Sequence, residues 1–106
     1  MLAAQQLFYK SMESANVKVD GVNVNAWDPT WILIGTLRKL GPNATATQIR
    51  DYIQSLHGWV GVSGIYDFSH GDPRGIGADS IVVYQYDPAK ADFVPVSGPG
   101  GTPLRR

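Results

Sequence analysis

The chain has 106 residues, enough for one domain, and nine Lys and Arg balance nine Asp and Glu, so no basic footprint for nucleic acid is present. There is no cysteine, which excludes thiol catalysis and disulfides. Hydrophobic residues make up 43%, as in ordinary globular proteins. The longest apolar run is too short to span a bilayer, and the start Met1-Leu2-Ala3-Ala4-Gln5-Gln6 has neither the basic n-region nor the long apolar h-region of a signal peptide.

Leu2–Ala15 reads as a helix, with Ala4, Phe8, Met12 and Ala15 on one stripe, flanked by Leu7. Val17–Asn25 reads as a loop by its Asp-Gly and its asparagines, and its alternating valines permit a short extended piece. Ala26–Gly41 is the stretch around which the rest is organised. Asp28 suits an N-cap and Pro29 the first helical position. Arg38 and Lys39 suit the last turn, and Gly41 with Pro42 stops the helix. Trp31, Ile32, Leu33, Ile34, Leu37 and Leu40 cover more than one face, which leaves water a narrow strip near Thr36 and Lys39. Trp27, just before the cap, either wedges into the core or faces a ligand cleft. Thr45–Leu56 is a further helix, capped by the pair Thr45 and Gln48, with Ala46, Ile49, Ile53 and Leu56 as its apolar stripe and His57-Gly58 as its end.

The period then changes. Ile65–Phe68 reads as a short strand and Ser69–Asp79 as loop. Ser80–Tyr86 is the strongest strand, β-branched and aromatic. After a turn over Asp87–Ala91, Asp92–Ser97 returns as its partner, with Pro95 marking an edge. Ser97–Arg106 lacks the apolar residues to order itself and reads as a tail. The pattern is α/β, or α+β for the chain by itself: three helices, a short strand and a C-terminal β-hairpin.

Chemistry is sparse. Gly61-Val62-Ser63-Gly64-Ile65 lacks the closing glycine of a nucleophile elbow, and Gly75-Ile76-Gly77 lacks the third glycine of a dinucleotide site. Asp67, His70, Asp72 and Asp79 gather around one loop, but their spacing matches neither a structural zinc site nor a calcium loop, and a turn fixed by Asp and Gly explains them. His57 suits a helix C-terminus. Asn43-Ala44-Thr45 matches a glycosylation acceptor, and a capped helix start also explains it. The residues alone define no catalytic constellation and no cofactor or metal site.

Taken in order, several segments resemble the type I periplasmic solute-binding proteins, the receptors of branched-chain amino-acid ABC transporters. Ala26-Trp27-Asp28, opening a long apolar helix, is similar to that family's Ala-Tyr-Asp-Ala helix. Gln48-Ile49-Arg50-Asp51 stands where the family often has Ala-Ile-Arg-Asp. Trp59-Val60-Gly61-Val62-Ser63-Gly64-Ile65-Tyr66-Asp67-Phe68-Ser69-His70-Gly71-Asp72 resembles its Phe-x-Gly-Val-Thr-Gly-x-Ile-x-Phe-Asp-x-x-Gly-Asp run. Ile81–Tyr86 and Phe93-Val94-Pro95-Val96 resemble its closing hairpin.

The resemblance implies a portion of a longer two-lobed, non-enzymatic receptor. Residues 1–79 would belong to the N-terminal lobe, 80–97 to a hairpin of the second lobe and 98–106 to a flexible tail. It implies a small amino-acid-like or carboxylate solute, delivered to an ABC permease from the periplasm, with no cofactor and no nucleic acid. By position the solute-facing residues are Val24, Asn25 and Trp27, where Trp27 replaces the usual Tyr. The alternative is an autonomous small α+β interaction module. A chain lacking the rest of both lobes is expected to be a homodimer or higher oligomer. Its interface would involve Ile81, Val83, Phe93 and the exposed side of Trp31–Leu40.

Overall fold

Among the described residues, three α-helices lead into two small antiparallel sheets, an α+β arrangement. The computed structural model describes residues 1–105. Its contacts divide into two units, Met1–Gly75 and Ile76–Arg106.

In the first unit, α1 spans Leu2–Ser14 and buries Phe8 completely. Ala4 and Met12 of the expected stripe are half-buried, while Ala15 caps the end and is exposed. α2 spans Gly21–Leu40 and starts earlier than the sequence suggests. Its N-cap is Asp20, whose Oδ1 accepts from Val22 N and Asn23 N, both at 2.9 Å. Asn23 Oδ1 accepts from Asp20 N at 3.0 Å and completes a capping box. The expected loop Val17–Asn25 is therefore helical from Gly21 onward. Asp28 is no cap, and Pro29 lies inside the helix, where it withholds an N–H from the ladder. Gly41 ends α2 as expected, with a φ of 87° and its N–H on Leu37 O at 2.8 Å.

An exposed proline inside a helix is a local cost. Pro29→Ala is expected to raise stability by about 1–3 kcal/mol, because Ala restores the N–H and removes the ring clash. A thermal melt checks this, and a lowered midpoint would show that the ring itself packs usefully.

The packing face of α2 also differs from expectation. Asp28, Ile32 and Thr36, spaced four apart, are its buried residues. Thr36 is sealed off, not solvated, and its Oγ1 donates to Ile32 O at 2.8 Å, which makes burial of the hydroxyl tolerable. Leu33, Leu37 and Leu40 are exposed. α3 covers Ala46–Gln54 behind the anticipated Thr45–Gln48 capping box.

His57 and Gly58 do not merely end α3; they open β1, His57–Val60. This strand pairs antiparallel with β2, Ile65–Asp67, across the loop Gly61–Gly64. Gly58 has a φ of 70°, and the register slips between His57 and Trp59.

The second unit is a hairpin of β3, Tyr84–Asp87, and β4, Asp92–Pro95, with Tyr84 opposite Pro95 and Tyr86 opposite Phe93. The regular strand starts later than Ser80. Ala78–Ser80 forms a 3-10 turn, and Val83 is held by Ser97, whose buried Oγ accepts from Val83 N at 2.9 Å. The supposed tail also begins folded. Pro99–Gly101 makes a 3-10 turn, and Gly100 N donates to Ile81 O at 2.9 Å. Arg106, the end of that expected tail, lies outside the described residues.

Candidate functional site

The site grows from Asp28, which is 1% exposed in the apolar middle of α2. A carboxyl group is buried only where donors replace water. Here the donors come from the β1–β2 loop. Gly61 N donates to Gly64 O at 2.8 Å, a tight reversal that turns the next two N–H groups towards the helix. Val62 N donates to Asp28 Oδ1 at 2.8 Å and Ser63 N to Oδ2 at 2.9 Å. The Tyr66 hydroxyl donates to Oδ2 at 3.0 Å. Gln5 Nε2, from α1, donates to Val62 O at 3.3 Å and secures the same loop from its other side. A glycine at 61 is required by proximity: a Cβ there would sit 2.5 to 2.8 Å from the Asp28 carboxylate atoms.

Tyr66 is buried beside Trp59, with ring centroids 5.6 Å apart, and stacks on Phe68 at 5.9 Å. Burial first, then the adjacent Asp28 charge and the hydrogen bond to it, push its phenol up to about 12, against a small opposing pull from Ser63. The folded state keeps this proton after the unfolded tyrosine, near pH 10, has lost it. The associated stability is intact below about pH 10 and is lost between about pH 10 and 12. In an alkaline absorbance titration, one of the five tyrosines is expected to ionise late and together with unfolding. Ionisation of all five near pH 10 with the fold intact would contradict this.

Beside the carboxylate lies an open groove of about 300 Å³, walled by Trp27, Trp31 and Trp59 with Ala4, Leu7 and Gly61. Trp27 packs edge-on against Phe8, with centroids 5.1 Å apart, and against Trp31 at 5.9 Å. The Arg38 guanidinium lies 5.8 Å from the Trp31 ring centroid. A second groove, of about 370 Å³, lies against Trp27, Trp31, Met12 and Ile34. Because three donors already occupy Asp28, the first groove offers aromatic faces rather than a free charge. It suits a flat apolar group better than an ion.

Of the three residues that the resemblance assigns to a solute, Trp27 alone lines these two grooves. Trp27 both wedges into the core and borders the groove. Val24 is half-buried and Asn25 exposed. Both lie within α2, not in a segment preceding it.

Two of the loop carboxylates, Asp67 and Asp72, are tied to neighbours. Asp67 accepts from Ser69 N and from the Ser69 hydroxyl, and His57 Nδ1 lies 2.8 Å from its Oδ2. His57 is thus a partner of Asp67 and not of the α3 terminus. The Ser69 bonds, with His57 adding to them, hold the Asp67 carboxyl near 2, below the usual carboxylate range. The Ser69 hydroxyl points at the carboxylate and not at a histidine, so the three groups are not arranged as a base and its nucleophile. Asp72 forms an exposed pair with Arg74 at 3.0 Å, and that pairing lowers its own pKa. Among the described residues, no group of three His, Asp or Glu is placed to hold a metal ion. No described helix is long and apolar enough to cross a membrane.

Comparison with protein-family models, with curated proteins and with solved structures gives no match.

Proposed function

We propose that this chain is part of an extracytoplasmic solute receptor of the type I periplasmic-binding kind. Its whole would bind a small amino-acid-like or carboxylate solute and present it to an ABC permease. The observation that carries this reading is the Asp28 clamp. The two segments most similar to that family, Ala26–Asp28 and Trp59–Asp72, lie far apart in the chain. They meet through three hydrogen bonds on one buried carboxylate. The hairpin of β3 and β4 carries the third similar segment, and Phe93-Val94-Pro95 lies within β4. The role is binding, not catalysis. Trp27, with Trp31 and Trp59 beside it, would form one aromatic wall of a cleft whose polar anchors lie upstream in the receptor.

A single wall does not hold a solute tightly. In calorimetry, the 106-residue chain is expected to give only dilution heats with branched-chain amino acids and aromatic carboxylates. Micromolar binding by this chain would overturn the one-wall reading. The receptor reading itself is tested by sequencing the DNA upstream of the Met1 codon. It predicts an in-frame extension encoding the strands of two lobes. A stop codon and ribosome-binding site immediately upstream would overturn it in favour of an autonomous interaction module.

A further inference from the structure

The clamp on Asp28 satisfies hydrogen bonds but does not balance charge. Val62 N, Ser63 N and the Tyr66 hydroxyl are all neutral donors. Asp28 belongs to none of the ion pairs among the described residues. Neutral dipoles lower the cost of burying a carboxylate without cancelling its field, and at 1% exposure little water is present to screen it. Tyr66 registers that field, since the Asp28 charge is among the causes that hold its proton. The space beside this charge is the aromatic groove, which Asp28 borders together with Trp27, Trp31 and Trp59. Trp27 and Trp31 are inclined at 60° and do not stack, so neither hides the other's face. Indole faces carry the negative side of the ring quadrupole and attract cations, and the Arg38 guanidinium already lies near the Trp31 ring in this way. Arg38 itself is exposed and does not line the groove.

We propose that the groove between Trp27, Trp31 and Trp59 binds a flat organic cation, a heteroaromatic ring whose nitrogen is alkylated. The charge behind the groove and the indoles around it select this class together. A metal ion or a primary ammonium needs lone pairs to replace its water, and three donors already occupy those of Asp28. An alkylated ring nitrogen has no N–H and needs no such partner. Its charge is spread over a surface that is otherwise apolar, so the ring packs on indole and feels Asp28 through space. A neutral ring of the same shape gains the packing alone. An anionic group is repelled, and a solute that carries one must have it held elsewhere. The groove, of about 300 Å³, has room for a ring system of this kind. Every residue invoked lies in the first unit, so the inference does not depend on the receptor reading. A negative result here leaves that reading standing, and a stop codon upstream of Met1 leaves this inference standing.

The probes are N-methylquinolinium and quinoline, which share a ring system and differ in charge at neutral pH, with naphthoate as the anion. Each is titrated into the isotope-labelled 106-residue chain, and the indole N–H signals of its three tryptophans are followed by NMR. N-methylquinolinium is expected to shift all three with a Kd of about 1 mM, weak because the groove is open. Quinoline is expected to bind about tenfold more weakly, and naphthoate to leave the signals in place. No shift with the cation overturns the proposal, as does binding of quinoline or naphthoate at equal strength. Asp28→Asn removes the charge and keeps the shape, so the cation is expected to fall to the level of quinoline while quinoline itself is unchanged. A preference for the cation that persists in the folded variant overturns the part assigned to Asp28. If the variant fails to fold, salt decides on the wild-type chain. At about 1 M salt, a preference set by exposed carboxylates fades, whereas one set by buried Asp28 persists, so fading overturns the proposal.

Discussion

Asp28→Ala is expected to destabilise the first unit by about 3–6 kcal/mol. Alanine leaves Val62 N and the Tyr66 hydroxyl buried, and Ser63 N half-buried, without acceptors, and each fully buried loss costs about 1–3 kcal/mol. A gain offsets part of this, because the carboxyl group no longer has to leave water. Against a total stability of about 5–15 kcal/mol for a typical domain, the variant sits close to unfolding. Asp28→Asn keeps the shape and one acceptor oxygen, so an intermediate loss is expected. Urea denaturation of the three proteins measures the series. Equal midpoints would show that water replaces the carboxylate at no cost.

Gly61→Ala carries the second largest effect. The added methyl would lie within 2.8 Å of Asp28 Oδ1, Cγ and Oδ2, well inside contact distance. Either the loop retreats and its hydrogen bonds lengthen, or α2 shifts. The expected cost is about 1–3 kcal/mol or somewhat more, as for other overpacked sites. The cause is specific, so it predicts non-additivity. In the Asp28→Ala background the clash has no partner, and Gly61→Ala should then cost almost nothing. A cost that is the same in both backgrounds would place the strain elsewhere.

These two residues also show how far the sequence could be read. α3 was legible because its cap is local: Thr45 and Gln48 satisfy each other three residues apart. α1 was legible from its period, and Phe8 is its buried centre. The start of α2 was not legible. Asp28-Pro29 satisfies every local rule for a helix start, and the true cap at Asp20 uses Asn23 where Glu or Gln would be the usual sign. The role of Asp28 depends on N–H groups more than thirty residues away, which no local signal encodes. One clue was available: a carboxylate among Trp27, Trp31 and Ile32 has no solvated face to turn to. β1 is hidden in the sequence because Gly58 reads as a helix stop, whereas its positive φ serves a bulge. The shortened strand β3 has a similar cause, since Ser97 folds back to hold Val83 and displaces regular pairing there. The groove beside Trp27 was only half legible. Trp27 stands out beside its helix, but Trp59 reaches the groove through β1, the strand that the local signals hide.

The central claim is that Asp28 and the Gly61–Gly64 loop form one rigid unit on which the aromatic groove depends. Amide hydrogen exchange at Val62 and Ser63 tests it most directly. Both N–H groups belong to a short loop, and free loop amides exchange at nearly the unfolded rate. Held by Asp28, they are expected to exchange as slowly as the core amides of α2, and only through global unfolding. Exchange at the loop rate while α2 remains protected would contradict the account.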